Sequence, residues 1–172
     1  MKIILRTCLV SLFLLSFTIG LKAQVNVDET NLVTRLSALN NLGITEAVKY
    51  FTDHGYALLS KQTIPQPTYS MDLYKYRLKD QTSSYILMAI SGSVSGAGYI
   101  TYNEDEHQDA LKIIKEAGFI PGEAMTPESG KTLFTKGNLS FLIQQKTTNN
   151  KTFYVMMLSD LLKTAQLSGI KK

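Results

Sequence analysis

Apolar residues recur at helical spacing in two stretches of the chain. Ile44, Ala47, Val48 and Phe51 fall at i, i+3, i+4 and i+7, and Ala110, Leu111, Ile114 and Ala117 line one face in the same way. Each stretch predicts an amphipathic helix. Each then meets a glycine, Gly55 or Gly118. Glycine enters the left-handed region without a Cβ clash and closes a helix C-terminus. With glycine at C′, Tyr56 and Phe119 stand at C″ and Phe51 and Ile114 at C3, the hydrophobic pair of a Schellman cap. Asn103 with Glu106 resembles a capping box with Asn as the cap, and Asn40 or Asn41 is the candidate start of the first helix.

Between and beyond these helices the pattern changes to alternation and to short apolar runs rich in Tyr, Ile, Val and Phe. Strands are predicted over 56–63, 71–78 and 85–91, then over 119–125, 131–136, 139–146 and 151–158. A short strand over 98–102 leads into the second helix, and a last helix runs from about 160 to 167. Asn149-Asn150 reads as a hairpin turn, and Pro65 and Pro67 mark a loop.

The two helical stretches are also alike residue by residue. Glu46-Ala-Val-Lys-Tyr-Phe-Thr-Asp-His-Gly-Tyr56 aligns with Asp109-Ala-Leu-Lys-Ile-Ile-Lys-Glu-Ala-Gly-Phe119 at a spacing of 63 residues. Alanine, lysine and glycine recur, acid matches acid, and aromatic matches aromatic. The runs Tyr85-Ile-Leu-Met-Ala-Ile90 and Phe153-Tyr-Val-Met-Met-Leu158 read as equivalent buried strands at a spacing of 68. The predicted fold is α+β: tandem duplicated α-β-β-β units, with helices packed on one face of antiparallel sheet. The units span 39–102 and 103–159, preceded by an N-terminal segment (24–38) and followed by a C-terminal helix and tail (160–172). This tandem helix-plus-sheet layout is similar to that of the secreted β-lactamase inhibitor proteins. No motif of theirs is present, so no residue role carries over.

Residues 1–23 have a different character. Lys2 and Arg6 precede the uncharged apolar run from Cys8 to Leu21, which ends at Lys22-Ala23 before polar residues. Charge, apolar core and a small residue form the order of a cleavable secretory signal, with cleavage expected after Ala23. The run falls short of the roughly 20 apolar residues of a spanning helix. The Leu-Lys-Ala-Gln junction resembles those of bacterial export signals. Export to the periplasm or the extracellular space follows, with no transmembrane segment in the mature chain.

That segment alters the charge and cysteine arguments. The chain has 18 basic and 14 acidic residues, and Lys2, Arg6 and Lys22 account for most of the excess. The remainder is nearly neutral and has no basic run longer than Lys171-Lys172, so the electrostatic footprint of nucleic acid binding is absent. The single cysteine is Cys8, which leaves the mature chain without disulfide, thiolate nucleophile or sulfur metal ligand.

Motifs that carry chemistry are few. Gly130-Lys131-Thr132 looks like the end of a phosphate loop, but Met125 stands where the motif needs glycine, and the tripeptide lies between strands, so a hairpin turn is expected. Ser91-Gly-Ser-Val-Ser-Gly-Ala-Gly98 has its serines at the wrong offsets for a nucleophile elbow and reads as a flexible connection. His54 lies at a helix end. His107 sits among Glu104, Asp105, Glu106 and Asp109, acids that already favour a helix N-terminus, so no metal or other cofactor is expected.

Tyrosines are concentrated in the first unit. Tyr74 and Tyr76 share one strand face, with Lys75 and Arg77 on the other. Tyr74, Tyr76, Tyr99 and Tyr102 are the candidate binding residues, because tyrosine joins a large contact area to a polar tip. The function expected is that of an exported, non-catalytic binding or accessory protein of the bacterial cell envelope, engaging a protein or peptide partner. A small exported hydrolase with a dispersed active site and a small-ligand carrier are the alternatives.

Overall fold

The computed structural model describes residue 27 and residues 31–122 and 130–169. The segment read as an export signal lies outside the described residues. Among these residues run helices α1 (Leu32–Asn40), α2 (Ile44–Asp53), α3 (Glu104–Glu116) and α4 (Leu161–Leu167). The strands are β1 (Tyr56–Pro65), β2 (Ser70–Leu78), β3 (Ser84–Ile90), β4 (Ser93–Thr101), β5 (Ile120–Pro121), β6 (Lys131–Lys136), β7 (Leu139–Thr148) and β8 (Lys151–Asp160). They form one antiparallel sheet in the order β1-β2-β3-β4-β8-β7-β6-β5. The chain is therefore mixed α+β and dominated by its sheet. No helix among the described residues is long and apolar enough to cross a membrane.

The predicted helix ends are in place. Gly55 and Gly118 take φ of +78° and +83°. After α3 the Phe119 amide donates to the Ile114 carbonyl and the Gly118 amide to that of Lys115, the two bonds of a Schellman cap. After α2 the Gly55 amide reaches the Thr52 carbonyl, and the Phe51 and Tyr56 rings meet edge to face at 5.1 Å. Helix starts differ from expectation. Gly43 caps α2, and the Glu46 carboxylate accepts its amide at 3.1 Å. Asn40 instead ends α1, where it is buried. At α3 the Asn103 side chain accepts from the Asp105 amide. Glu106 does not close the box, because its carboxylate is taken by Thr101 and Tyr99 hydroxyls.

Several predicted elements differ in the structure. Within and just after the N-terminal segment, α1 forms without having been predicted and supplies Val33, Leu36 and Leu39 to the core. The Gly/Ser-rich stretch is mostly strand: Ser91 and Gly92 make a tight turn with φ of 50° and 77°, and β4 begins at Ser93. Its small residues suit the sheet centre, where neighbouring strands approach closely. Gly130 has φ of +57° and leads directly into β6, so Lys131-Thr132 is strand and not hairpin turn. Only Ile120–Pro121 of the strand expected over 119–125 is present, and 123–125 lies outside the described residues. The runs starting at Tyr85 and Phe153 are β3 and β8, which hold different places in the order, since β8 is central beside β4.

Register divides the strand residues into two sets. Tyr76, Tyr85, Leu87, Ala97, Leu158, Met156, Phe141, Ile143 and Phe134 follow one another across the sheet and are buried. They form one core with Leu36, Leu39, Ala47, Phe51, Ala110 and Ile114 from the helices. The alternate residues include Leu73, Ile86, Met88, Ile100, Met157, Leu142 and Leu133, and they are only half-buried. The first set is thus buried in the core and the second only partly covered.

Candidate functional site

The tyrosine set separates by role. Tyr76 is 2% exposed and stacks on Phe51 with ring centroids 4.5 Å apart, so it belongs to the core. Tyr85 lies beside them and accepts a hydrogen bond from the Arg35 guanidinium. Tyr99 is half-buried, and its hydroxyl donates to Glu106 at 3.0 Å. Burial, with the Glu106 charge beside it, pushes the Tyr99 phenol well up. Thr101 also donates to that carboxylate at 2.7 Å, which ties β4 to the first turn of α3. Tyr102 is exposed and meets Phe153 at 5.8 Å. The four candidates therefore differ in exposure: Tyr76 is sealed in the core, Tyr74 and Tyr99 are half-buried, and Tyr102 is exposed.

Tyr74 lies in the most developed polar cluster. It faces a hollow of about 320 Å³ lined by Ile44, Ser70, Asp72, Ala89, Ser91 and Gly92. The hollow forms where β2 and β3 pass the first residue of α2. The positive-φ turn at Ser91-Gly92 brings the Gly92 carbonyl to the Ile44 amide at 2.9 Å. Antiparallel register sets Lys61 opposite Tyr74 and Thr63 opposite Asp72. Asp72 consequently accepts from Thr63 at 2.6 Å, from Tyr74 at 3.3 Å and pairs with Lys61 at 3.3 Å. Lys61 also stands over the Tyr74 ring, 5.1 Å from its centroid.

These contacts define what the cluster can do. The Thr63 hydroxyl, together with Lys61 and Tyr74, holds the Asp72 carboxyl below the usual carboxylate range. Such an anion accepts hydrogen bonds well and is a weak proton acceptor, the opposite of a tuned general base. The residues lining the hollow include no histidine, cysteine or second carboxylate. The hydroxyls of Ser70, Ser91 and Tyr74 add donors and acceptors around it, a surface suited to reading a polar partner. From sequence, Tyr74 was identifiable by its strand and its company. Asp72, Lys61 and Thr63 were not, because register unites them from two strands.

The two histidines take no part in this hollow. His54 ends α2, and its Nδ1 lies 2.7 Å from the Tyr50 carbonyl oxygen. His107 is buried against the Tyr154 ring at 4.1 Å, and its Nδ1 has no hydrogen-bond partner among the described residues. Burial holds the His107 imidazole below its ordinary value of 6.5, against the opposing charge of Glu104. The folded state thus prefers the neutral ring, and protonation favours unfolding. The contribution is fully present above the unfolded value and is lost as the pH falls below it. Thermal melts between about pH 7.5 and pH 5 should show a fall in melting temperature that His107→Phe reduces. An identical pH profile in the variant would refute the assignment.

Compared with known protein families, curated proteins and solved structures, the chain matches none.

Proposed function

We propose that this is an exported, non-catalytic binding protein of the bacterial cell envelope that captures an extended segment of a protein or peptide partner on β1. The observation that carries this reading is the edge itself. β1 is ten residues long, stands at the end of the sheet and is exposed over most of its length. A strand in that position presents a row of backbone N–H and C=O groups to any chain that can pair with them. The opposite edge, β5, has two residues.

The edge also restricts what it accepts. A register shift between Leu58 and Ser60 bulges the strand, and Pro65 removes a donor at its end. Regular pairing geometry runs from Ser60 to Ile64. Lys61 and Thr63 in that stretch face the Asp72–Tyr74 cluster, so a paired segment would lie beside it. Main-chain bonds would supply affinity and this cluster selectivity. The export reading rests on the opening segment of the sequence.

The same reading treats the two halves as copies with their helices packed on one face of the sheet. Its supports are the matched caps at Gly55 and Gly118 and a strand order symmetric about the β4–β8 pair. By position, β4 then corresponds to β8 and β3 to β7.

Proline scanning over 60–64 tests the binding claim. Amides point alternately toward β2 and away from it, so proline at one parity breaks the fold's own ladder and at the other removes only outward donors. Tagged protein is crosslinked in its native envelope and the attached partner identified. The outward-parity variants should keep the melting temperature and lose at least about tenfold of the captured partner. Capture indifferent to both parities would refute edge pairing. Turnover of ester, glycoside or peptide substrates abolished by a single side-chain change would establish the hydrolase alternative.

A further inference from the structure

The open face of the sheet carries a second site, which reaches from β1 across β2 and β3 to β4. Register places Ser60, Lys75, Ile86, Gly98, Met157, Leu142 and Leu133 in one row across it. The floor is made low by glycine: a Cβ on Gly98 would stand 2.7 Å from Met157 Cε, and one on Gly96 would collide with Met88. The two methionines therefore lie across β4 as a pliable apolar cover, the kind of side chain that adapts to varied apolar ligands. Beside them is a hollow of about 330 Å³. Leu73, Ile86 and Ile100 supply its apolar part, Ser60, Gln62 and Lys75 its polar rim, and Tyr74 borders it as it borders the first hollow.

Charge on this face has one sign. The alternation that points Leu73, Ile86 and Met157 outward also points out Lys75 and Arg77 of β2, Lys131 of β6, Lys146 of β7 and Lys151 of β8. Among the described residues, no strand residue with that orientation is acidic. Described acids lie elsewhere, as in the first turn of α3 and at Asp72. An apolar recess with a cation at its rim and further cations toward one end of the sheet is complementary to a molecule with an anionic head and an apolar tail. A second copy of the chain would set these cations against their own counterparts, which disfavours self-association. The recess is local and of small-molecule size, which favours a single amphiphile over a bilayer surface.

We propose that this open-face hollow binds a single-chain anionic amphiphile, with its acidic head at Lys75 and its chain over Leu73, Ile86 and Ile100.

Calorimetric titration with dodecanoate below its micelle concentration tests this. Saturable one-to-one binding is expected, at least tenfold tighter than for dodecanol or acetate and weakened by salt. Lys75→Glu should weaken it at least tenfold with the melting temperature unchanged, and Ile86→Ser should do the same. If Ile86→Ser does not fold, Leu73→Thr serves in its place. Any of four results would overturn the proposal: no saturable heat, equal affinity for dodecanol, affinity unmoved by both variants, or binding seen only with phosphatidylglycerol vesicles or an acidic peptide. Lys75→Glu lies on β2, outside the pairing edge, and should leave partner capture on β1 unchanged, so failure here and failure of edge pairing are separable.

Discussion

Phe51→Ala is expected to cost about 3–5 kcal/mol. Phe51 has no exposed surface and is the point where α2 meets the sheet. It stacks on Tyr76 at 4.5 Å, meets Tyr56 edge to face at 5.1 Å and lies 5.4 Å from both Tyr50 and Tyr85. Truncation removes the ring's transfer free energy, its aromatic pairings and the packing of the α2 cap, and four large rings cannot collapse into the space left. Its melting temperature should fall by roughly 10–20 °C, measured by circular dichroism. Tyr102→Ala is the control, because that exposed ring contributes one aromatic contact and should change stability by less than about 0.5 kcal/mol. A Phe51→Ala melt close to the control would mean that the α2–sheet contact is wrongly described.

Gly98→Ala comes second, at about 1–3 kcal/mol. The added Cβ would stand 2.7 Å and 2.9 Å from Met157 Cε and Sδ, and 2.9 Å from the Met156 carbonyl oxygen. A methionine side chain can swing away, but a carbonyl bonded in the β4–β8 ladder cannot. The double variant Gly98→Ala, Met157→Ala should therefore recover only part of the loss. Full recovery would show that the close approach of β4 and β8 does not need glycine. Chemical denaturation of the two variants decides the point.

Much of the fold was legible in the sequence. The Phe51 and Ile114 faces, the closing glycines with their hydrophobic C″ residues and the Asn149-Asn150 turn are local features, set by side-chain period and by φ, and the structure reproduces them. Helix α1 was not legible, because its cap and apolar residues sit in a short polar-flanked segment whose helicity depends on packing against the core. The end of β4 was predicted, but its first half was missed because glycine and serine are turn residues by propensity, whereas here they are selected by crowding between β3 and β8.

The site divides along the same line. Alternation along β2 determined that Tyr74 and Tyr76 share a face opposite Lys75 and Arg77, and nothing tertiary was needed for that. Only the tertiary structure decided that Tyr76 is sealed beneath Phe51 while Tyr74 joins Asp72, Thr63 and Lys61. It likewise decided that Lys75 borders an apolar recess shared with β3 and β4. Periodicity is written into neighbouring residues, whereas register and burial arise when distant strands pair, and their free energy exists only in the assembled sheet.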